Sequence, residues 1–273
     1  MKKFSFIKEF TQFVTKKLSI KYHFNRKHTE EKYIEEIINV LRSTTYWRRY
    51  NGSIDGRILN NKHNYYIKNN VYKEFYKYML NKYCEKNKTG KWKYISIDST
   101  FIQNKFGIGK IGRNKFYKNK KGVKISSIVD VNGIPLSIFV DNGSINDAKL
   151  FHPTFDLLLI KTSATKYKNS NKHKQYFMAD KGYHSKKVIK KLEENDYIPI
   201  IPPNKRNTKD VTKLKFLNKE QKKKYKKRII VENYFSWIMM NPKIMCMYEK
   251  TIESFNGLVY LASIYLLGKR LSK

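Results

Sequence analysis

A chain of 273 residues is long enough to bury a sizeable core, so one main domain with a small appendage is expected. An apolar fraction of 40%, with 16 Phe, 21 Tyr and 3 Trp, excludes a largely disordered chain. Lys and Arg number 58 against 22 Asp and Glu, and the formal charge of +36 opposes folding by self-repulsion and calls for a polyanionic partner, most simply nucleic acid bound with steep salt dependence.

Met1-Lys2-Lys3 opens the chain, and Lys8 and Glu9 then interrupt any signal-peptide core. Residues 1–90 read as a helical N-terminal region. Ile34, Ile37, Ile38 and Leu41 fall on one face of a helix over about Glu31 to Leu41. Val71, Phe75, Met79 and Leu80 do the same over Val71 to Tyr83. The polar, aromatic stretch between them, around Tyr46, Trp47 and Asn51 to Asn61, reads as a connection. Such a unit fits either a small DNA-binding module or a brace, since no recognition-helix signature stands out.

Residues 91–273 change pattern. Tyr94 to Asp98 alternates and reads as a strand ending in an acid. Two further strands, Val123 to Val131 and Ile134 to Val140, are joined by Asn132-Gly133, a strong signal for a tight hairpin. A helix is expected from Ser144, with Asp147 at capping-box spacing, to about Ile160, broken near His152-Pro153. Residues 161–174 read as a basic loop, and Tyr176 to Asp180 as a buried strand again ending in Asp. Ser185 is a candidate cap for a helix carrying Val188, Ile189 and Leu192, and Ile198 to Ile201 is a fifth strand. After a second basic loop, one long helix is expected from Lys219 to Met240, stopped by Asn241-Pro242, then a last helix over Phe255 to Arg270. The longest apolar run, Leu258 to Leu267, is too short to cross a bilayer, and no membrane partner is expected. Cys84 and Cys246 are isolated, which argues against structural zinc and for a reducing, intracellular setting. Strand, hairpin, then helix–strand alternation indicates an α/β domain with a mixed five-stranded sheet, the element order of a ribonuclease-H-like fold.

In such a sheet the first and fourth long strands are neighbours, so Asp98 and Asp180 can face one another while Glu232 approaches from a helix. Each acid alone has a structural reading: a strand-end Asp is often a turn former, and a Glu four residues after Arg228 is usually a surface ion pair. The neighbourhood argues otherwise, because Ile95, Ile97, Phe177 and Met178 make both Asp-bearing strands look buried. Converging carboxylates suit Mg²⁺, a hard cation that takes oxygen ligands in two-metal phosphodiester chemistry. Asp130, Asp141 and Asp147 are rivals whose positions favour structural roles.

Ile97-Asp98-Ser99-Thr100, Gly122 to Ile125, Asn132 to Leu136, Gly143 to Leu150 and Ala179-Asp180-Lys181-Gly182-Tyr183 occur in one order. They are followed by Tyr225, Arg228 and Glu232, spaced by three and then four residues. Together they resemble insertion-sequence DDE transposases of the bacterial group marked by a Tyr-Arg-Glu-Lys signature. The resemblance runs from about Lys91 to Lys269, with a weaker echo at Tyr46-Trp47-Arg48. It implies a catalytic domain that binds the terminal inverted repeats of a DNA element, cleaves them with Mg²⁺ (Mn²⁺ as substitute), and joins the freed 3′ ends to target DNA. Asp98, Asp180 and Glu232 would be catalytic metal ligands; Arg228 would contact phosphate or orient Glu232, Tyr225 would line the DNA path, and Lys124 and Lys181 would contact DNA. A homodimer on double-stranded DNA would follow, located wherever the element's DNA lies. One departure stands out: Met239 occupies the place of the signature Lys, and Lys243 lies one helical turn further on. It favours an alternative reading as a domesticated DNA-binding protein that no longer transposes.

Overall fold

The computed structural model describes residues 5–20, 27–86, 93–104, 107–108, 111–159, 175–205, 214 and 216–272. The basic loop expected over 161–174, most of the one after Pro203, and Met1-Lys2-Lys3 lie outside the described residues. The N-terminal region holds α1 (Ser5–Lys17), α2 (Glu30–Leu41), α3 (Gly56–Lys68) and α4 (Val71–Lys86). The helices expected around Ile34 and Phe75 are α2 and α4. The supposed connection contains a full helix, α3, capped by Asp55, whose side chain accepts from Arg57 N. Its buried face is Leu59, His63 and Tyr66, and two polar-headed residues in that stripe concealed its period.

The sheet forms from β1 (Tyr94–Gln103), β2 (Gly112–Asn114), β3 (Lys120–Val129), β4 (Pro135–Asn142), β5 (Gln175–Met178) and β6 (Tyr197–Ile200). Its order is β2-β3-β1-β5-β6, with β4 on the outer edge of β3. β1, β3 and β4 are antiparallel neighbours, whereas β5 and β6 run parallel to β1. This is the mixed sheet of a ribonuclease-H-like fold, with the short β2 as an unforeseen sixth strand. Asp98 does not end its strand. Ser99 to Gln103 continue β1 by pairing with Gly122 to Ser126 of β3, which places Asp98 mid-strand opposite Ser127.

The turn between β3 and β4 also differs from expectation. A two-residue Asn-Gly hairpin needs positive φ at both positions, yet only Gly133 has it (φ 73°). Asp130 organises a longer connection instead: its buried carboxylate accepts from Asn132 N at 2.9 Å, Ile134 N at 2.8 Å and Tyr83 Oη at 2.7 Å. A side chain at position 133 would also meet the Trp237 ring at 2.7 Å, so glycine is required twice over.

The next helix, α5 (Asp147–Asp156), starts later than Ser144 and is capped by Asn146, which accepts from Lys149 N at 2.9 Å. Ser144 instead donates to Asn142 Oδ1. Pro153 sits inside α5 without breaking it. Ser185 caps α6 (Lys186–Glu194) as expected, accepting from Val188 N. The long helix expected from Lys219 is two helices, α7 (Lys219–Tyr225) and α8 (Ile229–Met239), separated by a 3₁₀ turn at Lys226–Arg228. Asn241 and Pro242 do end α8, and a short α9 (Pro242–Met245) leads to α10 (Ile252–Leu271).

α10 is apolar nearly all round and therefore buried all round. It packs on β4 and α8 on one side and on α2, α3 and α4 on the other. Its Gly257 permits the close approach of α3, where a Cβ would meet Ile67 Cγ1 at 2.7 Å. Tyr76 Oη donates to Pro135 O at 2.8 Å, tying α4 directly to β4. One hydrophobic cluster thus runs from Phe10 and Phe75 through Leu258 to Ile125 and Phe177.

Candidate functional site

The site is built where β1, the end of β5, α5 and the α7–α8 junction meet. Two aromatic residues seat that junction on the sheet. Tyr94 of β1 and Tyr176 of β5 stack at 5.5 Å, and Lys227 and Lys224 lie over these rings at 3.9 and 4.2 Å. Lys224 Nζ also donates to Tyr176 Oη at 3.1 Å. The 3₁₀ turn held this way aims Arg228 at β1, while α8 packs across β1 and β3. Such an interruption within a helix commonly marks a functional position.

Arg228 is the hub. Its Nη1 donates to Asp98 Oδ2 at 2.6 Å and its Nη2 to Glu232 Oε1 at 2.6 Å. One guanidinium therefore joins two carboxylates 134 residues apart in the chain. Asp98 Oδ1 accepts from Ser99 N at 2.8 Å. Burial raises the Asp98 pKa against the pull of Arg228 and Ser99 N, and the nearby charge of Asp147 adds to the rise. The Arg228 pKa is raised: burial works against its charge, but Asp98, Tyr225 and Glu232 outweigh it.

Asp180 lies beyond β5, as the residue preceding the 3₁₀ turn Lys181–Tyr183, and caps no backbone N–H with its side chain. Tyr225 connects it electrostatically to the hub. Burial raises the Tyr225 pKa, Arg228 lowers it, and the charges of Asp180 and Asp98 raise it further. Lys181 is exposed beside Asp180, whereas Lys124 is buried on β3 and turned inward.

Asp147, one of the rivals read as structural, belongs to this locale. Its Oδ1 accepts from Ser99 Oγ at 2.6 Å and Lys124 Nζ at 2.8 Å. A Cβ on Gly182 would lie 3.4 Å from Asp147 Oδ2 and 3.9 Å from Asp180 Oδ2, so both carboxylates flank that glycine. Tyr183 is fully buried behind them. Its hydroxyl lies toward Ser99 and Ser126 without a hydrogen bond of regular geometry, and burial, Asp98 and Asp147 all raise its pKa. The only sequence sign of Asp147's place was its position in the segment Gly143 to Leu150. Asp130 and Asp141 lie elsewhere, in the β3–β4 turn and on β4.

The donor set Asp98, Glu232, Asp147 and Asp180 is all carboxylate oxygen, the chemistry a hard divalent cation requires. As placed, the Arg228 guanidinium neutralises two of them. Among the described residues no three His, Cys, Asp or Glu side chains converge closely enough to hold a metal. Met239 is partly buried against the core, and Lys243 is wholly buried on α9. Lys243 lies 5.5 and 5.4 Å from the ring centres of Trp47 and Tyr248. It therefore cannot present an exposed charge in place of the signature Lys.

No described helix is long and apolar enough to cross a membrane. No curated protein matches the sequence. The family model of the transposase DDE domain matches residues 93–267, which span β1 to α10 and include every site acid. With well over half its length matched, the chain belongs to the transposase DDE domain family, whose members are transposases acting on DNA.

Proposed function

We propose that this transposase cleaves DNA at element ends and transfers the freed 3′ ends to a target, using Asp98, Asp180 and Glu232 as carboxylate ligands of Mg²⁺. The observation that carries the reading is the double grip of Arg228 on Asp98 and Glu232. Two carboxylates brought to one point from β1 and α8 require a compensating positive charge. The guanidinium supplies it here, and the same two groups would hold a cation. Mg²⁺, when bound, polarises the phosphoryl group and favours the attacking and leaving oxygens. The chain's own residues do the rest. Arg228, once shared with DNA, orients a phosphate by its planar fork of donors. Tyr225 lines the approach between Asp98 and Asp180, and exposed Lys181 adds a phosphate contact. Lys124 acts at one remove, holding Asp147 beside Ser99.

Purified full-length chain with Mg²⁺ or Mn²⁺ is expected to nick or join DNA carrying the element's ends, and to lose that activity with a chelator. Absence of any metal-dependent strand cleavage, with DNA binding retained, would support the second reading, a domesticated DNA-binding protein. The observation favouring that reading is Met239 with Lys243 buried, which leaves the signature Lys without a substitute. We further propose that pairs of chains act as a dimer when two ends are brought together.

Asp147→Asn tests the inward network. The change keeps an acceptor for Ser99 but removes the charge that pairs with Lys124 and raises the Asp98 pKa. It is expected to lower kcat about 10- to 100-fold with little change in DNA affinity. An unchanged rate and an unchanged pH profile would exclude Asp147 from the site.

A further inference from the structure

Away from the acids, cations and aromatic rings gather where the N-terminal helices meet the α9–α10 turn. A groove of about 710 Å³ is lined there by Tyr46, Arg48, Arg49, Tyr248 and Lys250, among others. Arg48, Arg49 and Lys250 are exposed, and among the described residues none of their side chains makes an ion pair or hydrogen bond. The acid at this groove, Glu249, is buried and turned to the protein, accepting from Trp47 Nε1 at 2.9 Å and Ser254 Oγ at 2.5 Å. Behind the rings of Trp47 and Tyr248 lies the Lys243 ammonium, fully buried and without a hydrogen bond. Burial pushes the Lys243 pKa down, while the charge of Glu249 and the two rings partly stabilise the ammonium, so Glu249 faces inward to Lys243 and leaves the outer cations of the groove without an acid. Tyr46 packs on Tyr248 at 4.6 Å, yet it remains 42% exposed and so keeps surface open. Free cations beside an open aromatic ring are what a DNA strand needs: charge for its phosphates and a platform for a base.

The groove is joined rigidly to the strand that carries Asp98. Buried Asn104, just past the end of β1, donates to Glu249 O at 2.8 Å, and Ile108 N donates to Lys250 O at 2.8 Å. Asn104 lies six positions after Asp98, roughly 20 Å of strand at a rise of about 3.3 Å per residue. That is about the length of six nucleotides of one DNA strand.

We propose that this groove is a second DNA contact, apart from the acid site, with phosphates on Arg48, Arg49 and Lys250 and an unpaired base on the exposed surface of Tyr46. The proposal rests on the reading of DNA as substrate. Held through β1, the contact fixes how far along the DNA the acids act.

The test uses full-length chain and fluorescent DNA, either fully paired or with a single-stranded overhang, titrated across a salt series. Joint substitution Arg48→Gln, Arg49→Gln and Lys250→Gln is expected to make the slope of log affinity against log salt shallower by about 2 to 3. Tyr46→Ala is expected to weaken overhang binding about 5- to 150-fold, leaving the paired duplex and the salt slope nearly unchanged. A control with equal charge loss, Lys8→Gln, Lys68→Gln and Lys77→Gln, is expected to move the slope far less. The proposal is overturned if the groove variant, folded as judged by its melting curve, binds with wild-type affinity and slope. It is overturned equally if the control variant loses as much, or if RNA of the same sequence competes as well as DNA. Metal-dependent cleavage is read separately. Groove-dependent binding without cleavage sinks the enzymatic reading alone, and cleavage with groove-independent binding sinks the groove alone.

Discussion

Asp98→Asn is expected to lower metal-dependent DNA cleavage by about 10³-fold or more, since a metal's charge stabilisation is worth several kcal/mol. The same variant is expected to fold at least as well as wild type in the presence of chelator. Burial raises the Asp98 pKa despite Arg228 and Ser99, so folding favours the protonated acid. The sign follows by linkage. With the folded pKa above the unfolded one, the native state binds the extra proton between them, and stability falls as pH rises through that window. The cost is present in full above the folded pKa, and asparagine avoids it. Wild type should therefore gain on the variant as pH drops from the raised folded value towards about 4, and gain no more below it. Paired measurements of cleavage rate and melting temperature check both parts. Retained cleavage would remove Asp98 from the catalytic set. Lost cleavage with a markedly lower melting temperature would instead mark Asp98 as structural.

Asp130→Ala is expected to produce the largest loss of stability among single acid substitutions, about 3 kcal/mol, because three donors lose their acceptor in a buried setting. Those donors are Tyr83 Oη and the backbone N–H groups of Asn132 and Ile134. A drop of about 10 °C in melting temperature corresponds to that cost. Asp130→Asn keeps an acceptor for the backbone donors and should retain most of the stability. Burial raises the Asp130 pKa and its hydrogen bonds only partly offset this, so ionising the acid costs more in the folded chain than in the unfolded one. A small effect of alanine, with asparagine no better, would mean that the turn holds without this carboxylate.

The contrast between Asp98 and Asp130 explains why acids were unequally legible. Both sit beside apolar β-strand residues, Asp130 buried and Asp98 half-buried, so local sequence context alone could not separate a turn organiser from a site group. Motif spacing singled out Asp98, Asp180 and Glu232 without showing that Arg228 links Asp98 to Glu232. Asp147 looked like a helix-start acid, and it does open α5. Its role depends on Ser99 and Lys124, 48 and 23 residues away, and no local pattern records such partners. Lys124 shows the reverse case. A lysine in a +36 chain reads as a surface contact for DNA, yet its place on β3 turns it toward Asp147.

The helices show where periodicity succeeds and where it fails. α2, α4 and α10 were readable because their buried faces carry Ile, Leu, Val, Phe or Met at helical spacing. α3 was missed because its face uses His63 and Tyr66, whose polar groups are satisfied across the fold by partners such as Tyr72, Ser254 O and Glu30. The break between α7 and α8 was invisible for a related reason. Lys226, Lys227 and Arg228 are good helix formers. The backbone tightens there into a 3₁₀ turn while Lys227 docks on Tyr94 and Arg228 reaches Asp98.

By itself the sequence determined the mixed α/β class, the order of the long strands, the basic character that suits DNA, and which acids carry the family's spacing. These follow from local period, composition and motif, all of which act over a few residues. Only the tertiary structure decided that Asp98 lies mid-strand, that Arg228 joins it to Glu232, that Asp147 belongs beside them, and that Lys243 is buried under Trp47 and Tyr248. Each depends on contacts between distant segments, set by which strand pairs with which and by how α8 and α10 pack on the sheet.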